Sequence, residues 1–282
     1  MNNGDNVIKA GIMGWPISHS LSPRLHGYWL KTHCINGTYE AMAVKPEALA
    51  RTLDNLSANG FAGVNVTVPH KEAALTAVDT IRAEAVRTGA VNTVVVRPDE
   101  TLLGRNTDVY GFMKNLKSNH SDLLLDQGPA VVLGAGGAAR AVCASLIDGG
   151  VAELRLVNRT LSRAEALAGH IGGPIKIYSW KEREKALDGA LLLVNATSLG
   201  LGGGTALEIN LTRLPRQAVV NDIVYTPLET PLLRAAAKRG NPVVDGLGML
   251  LYQAQPGFAA WFGVEPEVTP GLRSWILKGL PG

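Results

Sequence analysis

The chain has 282 residues, 46% of them apolar and 18% charged, which is enough material for two ordinary domains or one large one and excludes a disordered polypeptide. A net charge of +3, scattered along the sequence, excludes the dense basic surface that a nucleic-acid partner needs. Two cysteines far apart in helix-like segments, Cys34 and Cys143, exclude a disulfide framework and a zinc site and fit a cytoplasmic chain, as do the absence of any membrane-length apolar run and a start (residues 1–6) without signal-peptide features.

In chain order, the first half alternates strand-like and helix-like segments. Residues 7–13 read as a strand, and Ser22 with Pro23 as the cap and first turn of a helix reaching about Cys34. Residues 38–44 read as a strand, 46–58 as an amphipathic helix stopped at Gly60, and 63–68 as a strand. A helical region is expected over 71–88, then the β-branched run 91–96 and a turn at Pro98 and Asp99. Residues 108–117 suggest a connecting helix and 118–128 a polar linker.

The second half opens on Ala130-Val131-Val132-Leu133-Gly134-Ala135-Gly136-Gly137-Ala138-Ala139-Arg140, a short apolar strand, a glycine-rich turn and a helix start. The pattern is G-x-G-x-x-A: Gly134 makes the turn, Gly136 admits a pyrophosphate close to the backbone, and Ala139 lets helix pack on strand. The helix N-terminus would then offer unpaired N–H groups to the phosphates. A second strand over 153–158 ends at Asn158, Arg159 and Thr160, with Arg163 one turn on. An NAD-selective site would place a carboxylate here for the ribose 2′-hydroxyl, whereas guanidinium groups suit a 2′-phosphate, so the chain is expected to prefer NADP. The alternative is that both arginines only solvate a helix start. Later strands are expected over 175–178, 190–194, 218–220 and 242–244, followed by a sharp turn at Asp245 and Gly246 into a helix. The helices beyond it, to about Lys278, have no strands left to pair with and are expected to fold back across the first half, leaving a cleft suited to a ligand.

Four polar clusters stand at predicted strand ends, where an α/β scaffold presents its chemistry: Ser18-His19-Ser20, Asn65 to Lys71, Asn92-Thr93 and Asn106-Thr107-Asp108. Alternation puts Asn65 and Thr67 on one strand face, with Lys71 just past a strand-ending proline. Neutral donors and acceptors of this kind suit a polyhydroxylated ligand. A lysine and an aspartate suffice for reversible carbonyl reduction beside a nicotinamide, Lys71 giving the proton and Asp108 orienting it. Either residue alone would be an ordinary surface ion-pair partner; the constellation argues for chemistry. His19 and His70 are general-base candidates that this pair makes unnecessary.

Eight ordered motifs spanning nearly the whole chain resemble those of the shikimate dehydrogenase family: Pro16 to Pro23, Asn65 to Lys71, Gly89 to Thr93, Gly104 to Asp108, Gly134 to Arg140, Asn158 to Thr160, Asn195 to Gly200, and Asp245 to Leu250. The resemblance implies an N-terminal α/β substrate-binding domain (residues 1–108 and 250–282) and a Rossmann-type NADP-binding domain (109–249), separated by a deep cleft. It implies NADPH-dependent reduction of 3-dehydroshikimate to shikimate, on the route to chorismate and the aromatic amino acids. Carried over position by position, Ser18 and Ser20 would bind the substrate carboxylate. Thr67, Lys71, Asn92, Asp108 and Gln253 would hold the ring hydroxyls and carbonyl, with Tyr225 reaching the substrate as well, and Lys71 and Asp108 would be catalytic. Gly134, Ala135, Gly136, Gly137 and Ala138 would take the pyrophosphate. Asn158, Arg159, Thr160 and Arg163 would take the 2′-phosphate, and Ile223 and Gly246 would border the nicotinamide. The chain departs from the family's frequent pattern at Gly27, where asparagine is common, and at Arg105; neither carries a proposed catalytic atom, although Arg105 bears on substrate range. No metal, nucleic acid or membrane partner is implied, and the chain would act as a monomer or homodimer. The alternatives are a quinate/shikimate dehydrogenase with broader substrate or NAD use, and a catalytically silent NADP-binding regulator, against which the presence of both Lys71 and Asp108 argues.

Overall fold

The computed structural model describes residues 7–280; the reading of residues 1–6 falls outside the described residues. The described residues divide into two compact units, residues 7–107 with 253–279, and residues 108–252.

The first unit is built on strands β1 (Ile8–Gly14), β2 (Gly37–Ala43), β3 (Phe61–Val66), β4 (Thr80–Ile81), β5 (Thr93–Val96) and β6 (Leu102–Arg105). They form one mixed sheet in the order β2-β1-β3-β5-β6-β4. Strands β1, β2 and β3 run parallel, while β5 is antiparallel to both β3 and β6. That reversal brings the ends of β1, β3 and β6 and the start of β5 to one edge of the sheet. Met13, Val64, Val66, Val91 and Val94 join Leu49 and Leu53 in the core beneath it. Helix α1 (Ser22–Thr32) carries Pro23 in its first turn, but its cap is Leu21 rather than Ser22. Ser20 does the capping work instead, its Oγ accepting from the Ser22 N–H at 3.3 Å.

Two expected helices are shorter than their patterns suggested. Residues 46–58 form a 3-10 turn and then α2 (Leu49–Asp54). Residues 71–88 form a 3-10 turn, the short strand β4, and α3 (Ala83–Thr88), whose C-cap Gly89 has φ +64°. Asp79 interrupts a continuous helix there: its Oδ2 accepts the Leu102 N–H at 2.7 Å, which ties the segment to the sheet as an edge strand. The brief strand β6 was hidden in the sequence because Gly104 and the polar residues after it mask its apolar alternation.

The second unit opens with α4 (Asp108–Asn119), then β7 (Pro129–Leu133), α5 (Gly137–Asp148), β8 (Glu153–Asn158), α6 (Leu161–Ile171), β9 (Ile175–Ser179), β10 (Leu192–Asn195), β11 (Val219–Asp222), α7 (Pro231–Lys238) and β12 (Val243–Val244). Its strands form a parallel sheet in the order β12-β11-β10-β7-β8-β9, the doubly wound dinucleotide-binding order. Burial on both faces explains the continuous apolar runs: Ala130 and Val132 of β7 pack with α5 on one face, Val131 and Leu133 with Leu232, Leu233 and Ala236 of α7 on the other. Helix α4 is not a connector. Phe112 and Leu116 are buried in this unit's core, and Ser145 donates to the Val109 carbonyl at 3.0 Å. Nor is 118–128 merely a linker, because Leu125 is buried in the same core.

Helix α8 (Leu247–Phe262) follows, and the division between units falls inside it. Its second half covers the first sheet, Trp261 donating to the Val94 carbonyl at 3.0 Å, and α9 (Pro270–Leu277) packs on α1, Arg24 donating to the Trp275 carbonyl at 2.7 Å. Among the described residues, no helix is long and apolar enough to cross a membrane.

Candidate active site

In the first unit the sequence-predicted polar residues gather at the common edge of the mixed sheet. Thr67 follows β3, and its N–H donates to the Met13 carbonyl at 2.9 Å, beside the end of β1. The loop after β1 carries Ser18 and Ser20, Ser18 exposed with its Oγ 3.5 Å from His19 Nδ1. The partly buried Lys71 is anchored through its carbonyl, which accepts the Val91 N–H at 2.8 Å and so draws it next to Asn92 at the start of β5.

Asn92 is 2% exposed and its amide orientation is determined by its neighbours. Its Oδ1 accepts from the Thr107 N–H at 2.7 Å, the Thr107 hydroxyl at 3.1 Å and the Thr93 hydroxyl at 2.9 Å, so its Nδ2 must be the donor face. That NH2 donates to Thr107 Oγ1 at 3.0 Å and to Gln253 Oε1 at 3.3 Å, joining α8 to the sheet edge. Asn65 is one strand deeper. It donates to Thr93 Oγ1 at 3.1 Å and accepts from the Tyr39 hydroxyl at 2.6 Å, so it supports the site from within the core rather than sharing a ligand face with Thr67, which lies past the strand end. Asp108 is 5% exposed and is the first residue of α4, directly after Thr107.

His70 is 1% exposed with Nε2 2.7 Å from the Val44 carbonyl, a structural bond; His19 is exposed. Arg105 is engaged by Glu84, Nε to Oε1 at 3.4 Å.

In the second unit the glycine turn has the form a dinucleotide requires. Gly134 has φ +109°, and a side chain there would meet the Ala196 carbonyl at 2.9 Å. A Cβ on Gly136 would meet nothing within 4 Å, so the backbone at the α5 N-terminus is open to close approach. Ala135, Gly137 and Ala138 are partly buried around it, and Ala139 is fully buried against the sheet. At the end of β8, Asn158 donates to the Thr160 carbonyl at 2.8 Å and closes the turn that displays Arg159, Thr160 and Arg163, all exposed. Among the described residues neither arginine has a carboxylate partner, an arrangement that fits a phosphate dianion. Gly246 packs where a Cβ would lie 2.3 Å from the Ile223 carbonyl oxygen, so the turn before α8 rests on the turn after β11. Tyr225, in that same turn, is partly buried, and burial pushes its hydroxyl pKa upward.

Sequence reasoning missed Asp222 and Thr230. Asp222 ends β11 at 1% exposure, and burial pushes its carboxyl up to about 6 against the opposing effect of bonds from Thr230, Val224 and Asn195. A carboxylate closing the apolar run from Ala218 was the available signal.

Comparison with known proteins gives concordant results. Residues 12–94 match the profile described as shikimate dehydrogenase substrate binding domain, and residues 116–200 the one described as shikimate/quinate 5-dehydrogenase. An NADP(+) shikimate dehydrogenase of Paramagnetospirillum magneticum is 56% identical over 269 residues, covering 95% of this chain and 98% of that one. Shikimate 5-dehydrogenase of Thermus thermophilus, solved with NADP(H) and shikimate, superposes with a TM-score of 0.86 at 39% identity, over 97% of this chain and all 100% of the other. Quinate dehydrogenase of Corynebacterium glutamicum, solved with NAD, gives 0.90 at 30% identity over 97% and 100%.

Proposed function

The chain belongs to the shikimate dehydrogenase family, NADP-dependent oxidoreductases, and we propose that it reduces 3-dehydroshikimate to shikimate with Lys71 and Asp108 as its acid–base pair. The observation that carries this reading is the sheet edge itself, where backbone bonds bring Thr67 and Lys71 beside an Asn92 whose bonds to Thr107 and Gln253 leave it one orientation. Such preorganisation is what binding a ring of hydroxyl groups requires, because each ligand group then meets a donor or acceptor already in place.

NADPH, when bound, supplies the hydride to the carbonyl carbon. Gly134 to Ala138 would hold its pyrophosphate, Asn158, Arg159, Thr160 and Arg163 its 2′-phosphate, and Ile223 and Gly246 would border its nicotinamide. The open backbone at Gly136 and the two exposed guanidinium groups, which have no carboxylate partner among the described residues, support this assignment. Lys71 Nζ donates a proton to the substrate oxygen, and Asp108 orients that ammonium. Ser18 and Ser20 hold the substrate carboxylate on the loop after β1; Thr67, Asn92, Gln253 and Tyr225 hold hydroxyl groups.

The test is an absorbance assay at the NADPH band with shikimate and quinate offered separately, each with NADP+ and with NAD+. Turnover of shikimate with NADP+ is expected to dominate; turnover of quinate with NAD+ above it would overturn the assignment. Lys71→Ala is expected to lower kcat roughly 10²-fold or more with little change in substrate KM, the signature of a lost proton donor. A raised KM at unchanged kcat would make Lys71 a binding residue only.

A further inference from the structure

Ile223 and Gly246, assigned above to the nicotinamide border, have no polar side chains with which to hold their own turns, and the inference that follows rests on that assignment. The polar support comes from beneath them. Asn195 and Asp222 are register partners at the ends of β10 and β11. Asp222 Oδ1 accepts from Asn195 Nδ2 at 2.9 Å and from the Val224 N–H at 3.0 Å, while Oδ2 accepts from the Thr230 hydroxyl at 2.7 Å. One carboxylate therefore gathers the end of β10, the turn after β11 and the start of α7.

The network extends one residue further toward the glycine turn. Asn195 Oδ1 accepts from the Thr197 N–H at 3.1 Å and the Thr197 hydroxyl at 2.7 Å, and Asn195 Nδ2 also donates to the Leu199 carbonyl at 3.3 Å. Ala196 and Thr197 are the residues against which Gly134 packs, 2.9 Å and 3.1 Å from where its Cβ would be. A carboxylate at 1% exposure opposes folding unless donors surround it, and here those donors come from the end of β10 and from both ends of the connection between β11 and α7. We propose that Asp222 is the positioning residue for the nicotinamide end of the dinucleotide site, locking the turns after β10 and β11 in place while leaving the adenosine end to β8 and α6.

The experiment is titration calorimetry on the full chain with NADPH and, separately, with adenosine 2′,5′-bisphosphate, which carries the 2′-phosphate but no nicotinamide. Asp222→Ala is expected to weaken NADPH binding roughly tenfold or more and leave the bisphosphate within about twofold of wild type. Amide hydrogen exchange of the ligand-free chain should quicken over residues 196–200 and 223–230 and stay unchanged over 153–171. Equal losses for both ligands, or wild-type NADPH affinity in a folded Asp222→Ala chain, overturn the proposal. Where Asp222→Ala does not fold, Thr230→Val decides: an NADPH-specific loss of roughly fivefold that Thr230→Ser restores supports the proposal, and wild-type affinity overturns it. A wild-type chain that binds neither ligand overturns the dinucleotide reading itself, a result obtained before any substitution is made.

Discussion

Arg159 and Arg163 differ from the other arginines of the second unit in what surrounds them. Arg155 pairs with Glu153 at 2.6 Å and Arg213 with Asp188 at 2.7 Å, whereas Arg159 and Arg163 stand exposed beside a turn closed by Asn158. A guanidinium committed to a neighbouring carboxylate would have to break that bond to bind phosphate; these two need not. Arg159→Ala is therefore expected to raise KM for NADP+ roughly tenfold or more and leave KM for NAD+ nearly unchanged, measured by initial rates with each cofactor. Equal effects on both would mean that Arg159 does not read the 2′-phosphate. At this scale the sequence was informative about which residues are polar and near strand ends, but silent about which of them are already occupied. Asn65 and Thr67 looked equivalent by alternation, yet Asn65 is consumed by Tyr39 and Thr93 in the core.

The glycine turn between β7 and α5 shows how an element depends on single backbone angles. At φ +109° an L side chain is strained, and the Ala196 carbonyl 2.9 Å from the missing Cβ belongs to backbone that the Asn195 network holds in place. Gly134→Ala should destabilise the chain by about 1–3 kcal/mol, read as a lower midpoint in denaturant unfolding, and weaken dinucleotide binding further. Gly136→Ala, with open space around it, should fold normally and lose affinity only through the intrusion of a methyl group on the phosphates. The β7-turn-α5 element was legible in the sequence because its periodicity, its glycines and its alanines all point the same way. The segment over 71–88 was not, because its helical composition is overridden by the bond from the Leu102 N–H to Asp79, a partner 23 residues away.

Across the whole molecule, two buried titratable groups set opposing responses to pH. His26 is fully buried, stacked on Tyr39 at 3.8 Å between ring centroids, and neither ring nitrogen has a hydrogen-bond partner among the described residues. Burial lowers its pKa to about 3, from 6.5 in an exposed histidine. The unfolded chain takes up a proton below 6.5 and the folded chain does not until about 3, so this group removes stability as pH falls through that window. Asp222, raised from 3.8 to about 6, acts with the opposite sign: the folded chain holds its proton longer, so stability from this group declines as pH rises from 3.8 to about 6. Between roughly pH 4 and 6 the two offset each other; below that, His26 acts alone. Replacing His26 with Phe, which retains an aromatic ring against Tyr39, isolates its contribution. The stability difference between His26→Phe and wild type should grow in the variant's favour by about 1.4 kcal/mol for each unit that pH falls between 6.5 and about 3, measured by denaturant unfolding. A difference independent of pH would mean that the imidazole titrates alike in both states.

The sequence by itself determined the alternation of strands and helices, the dinucleotide turn at Gly134 to Ala139, and the cationic end of β8, because each of these is written in residues no more than about thirty apart. Only the tertiary structure decided that Asn92 would be oriented by Thr107 and Gln253, that α4 and Leu125 would be core rather than connector, and that Asp222 would gather the end of β10, the turn after β11 and the start of α7. The physical reason is common to all of them. A buried polar or apolar group takes its role from partners that the fold brings to it, and those partners lie on other strands and helices, where neither periodicity nor local propensity carries any trace of the pairing.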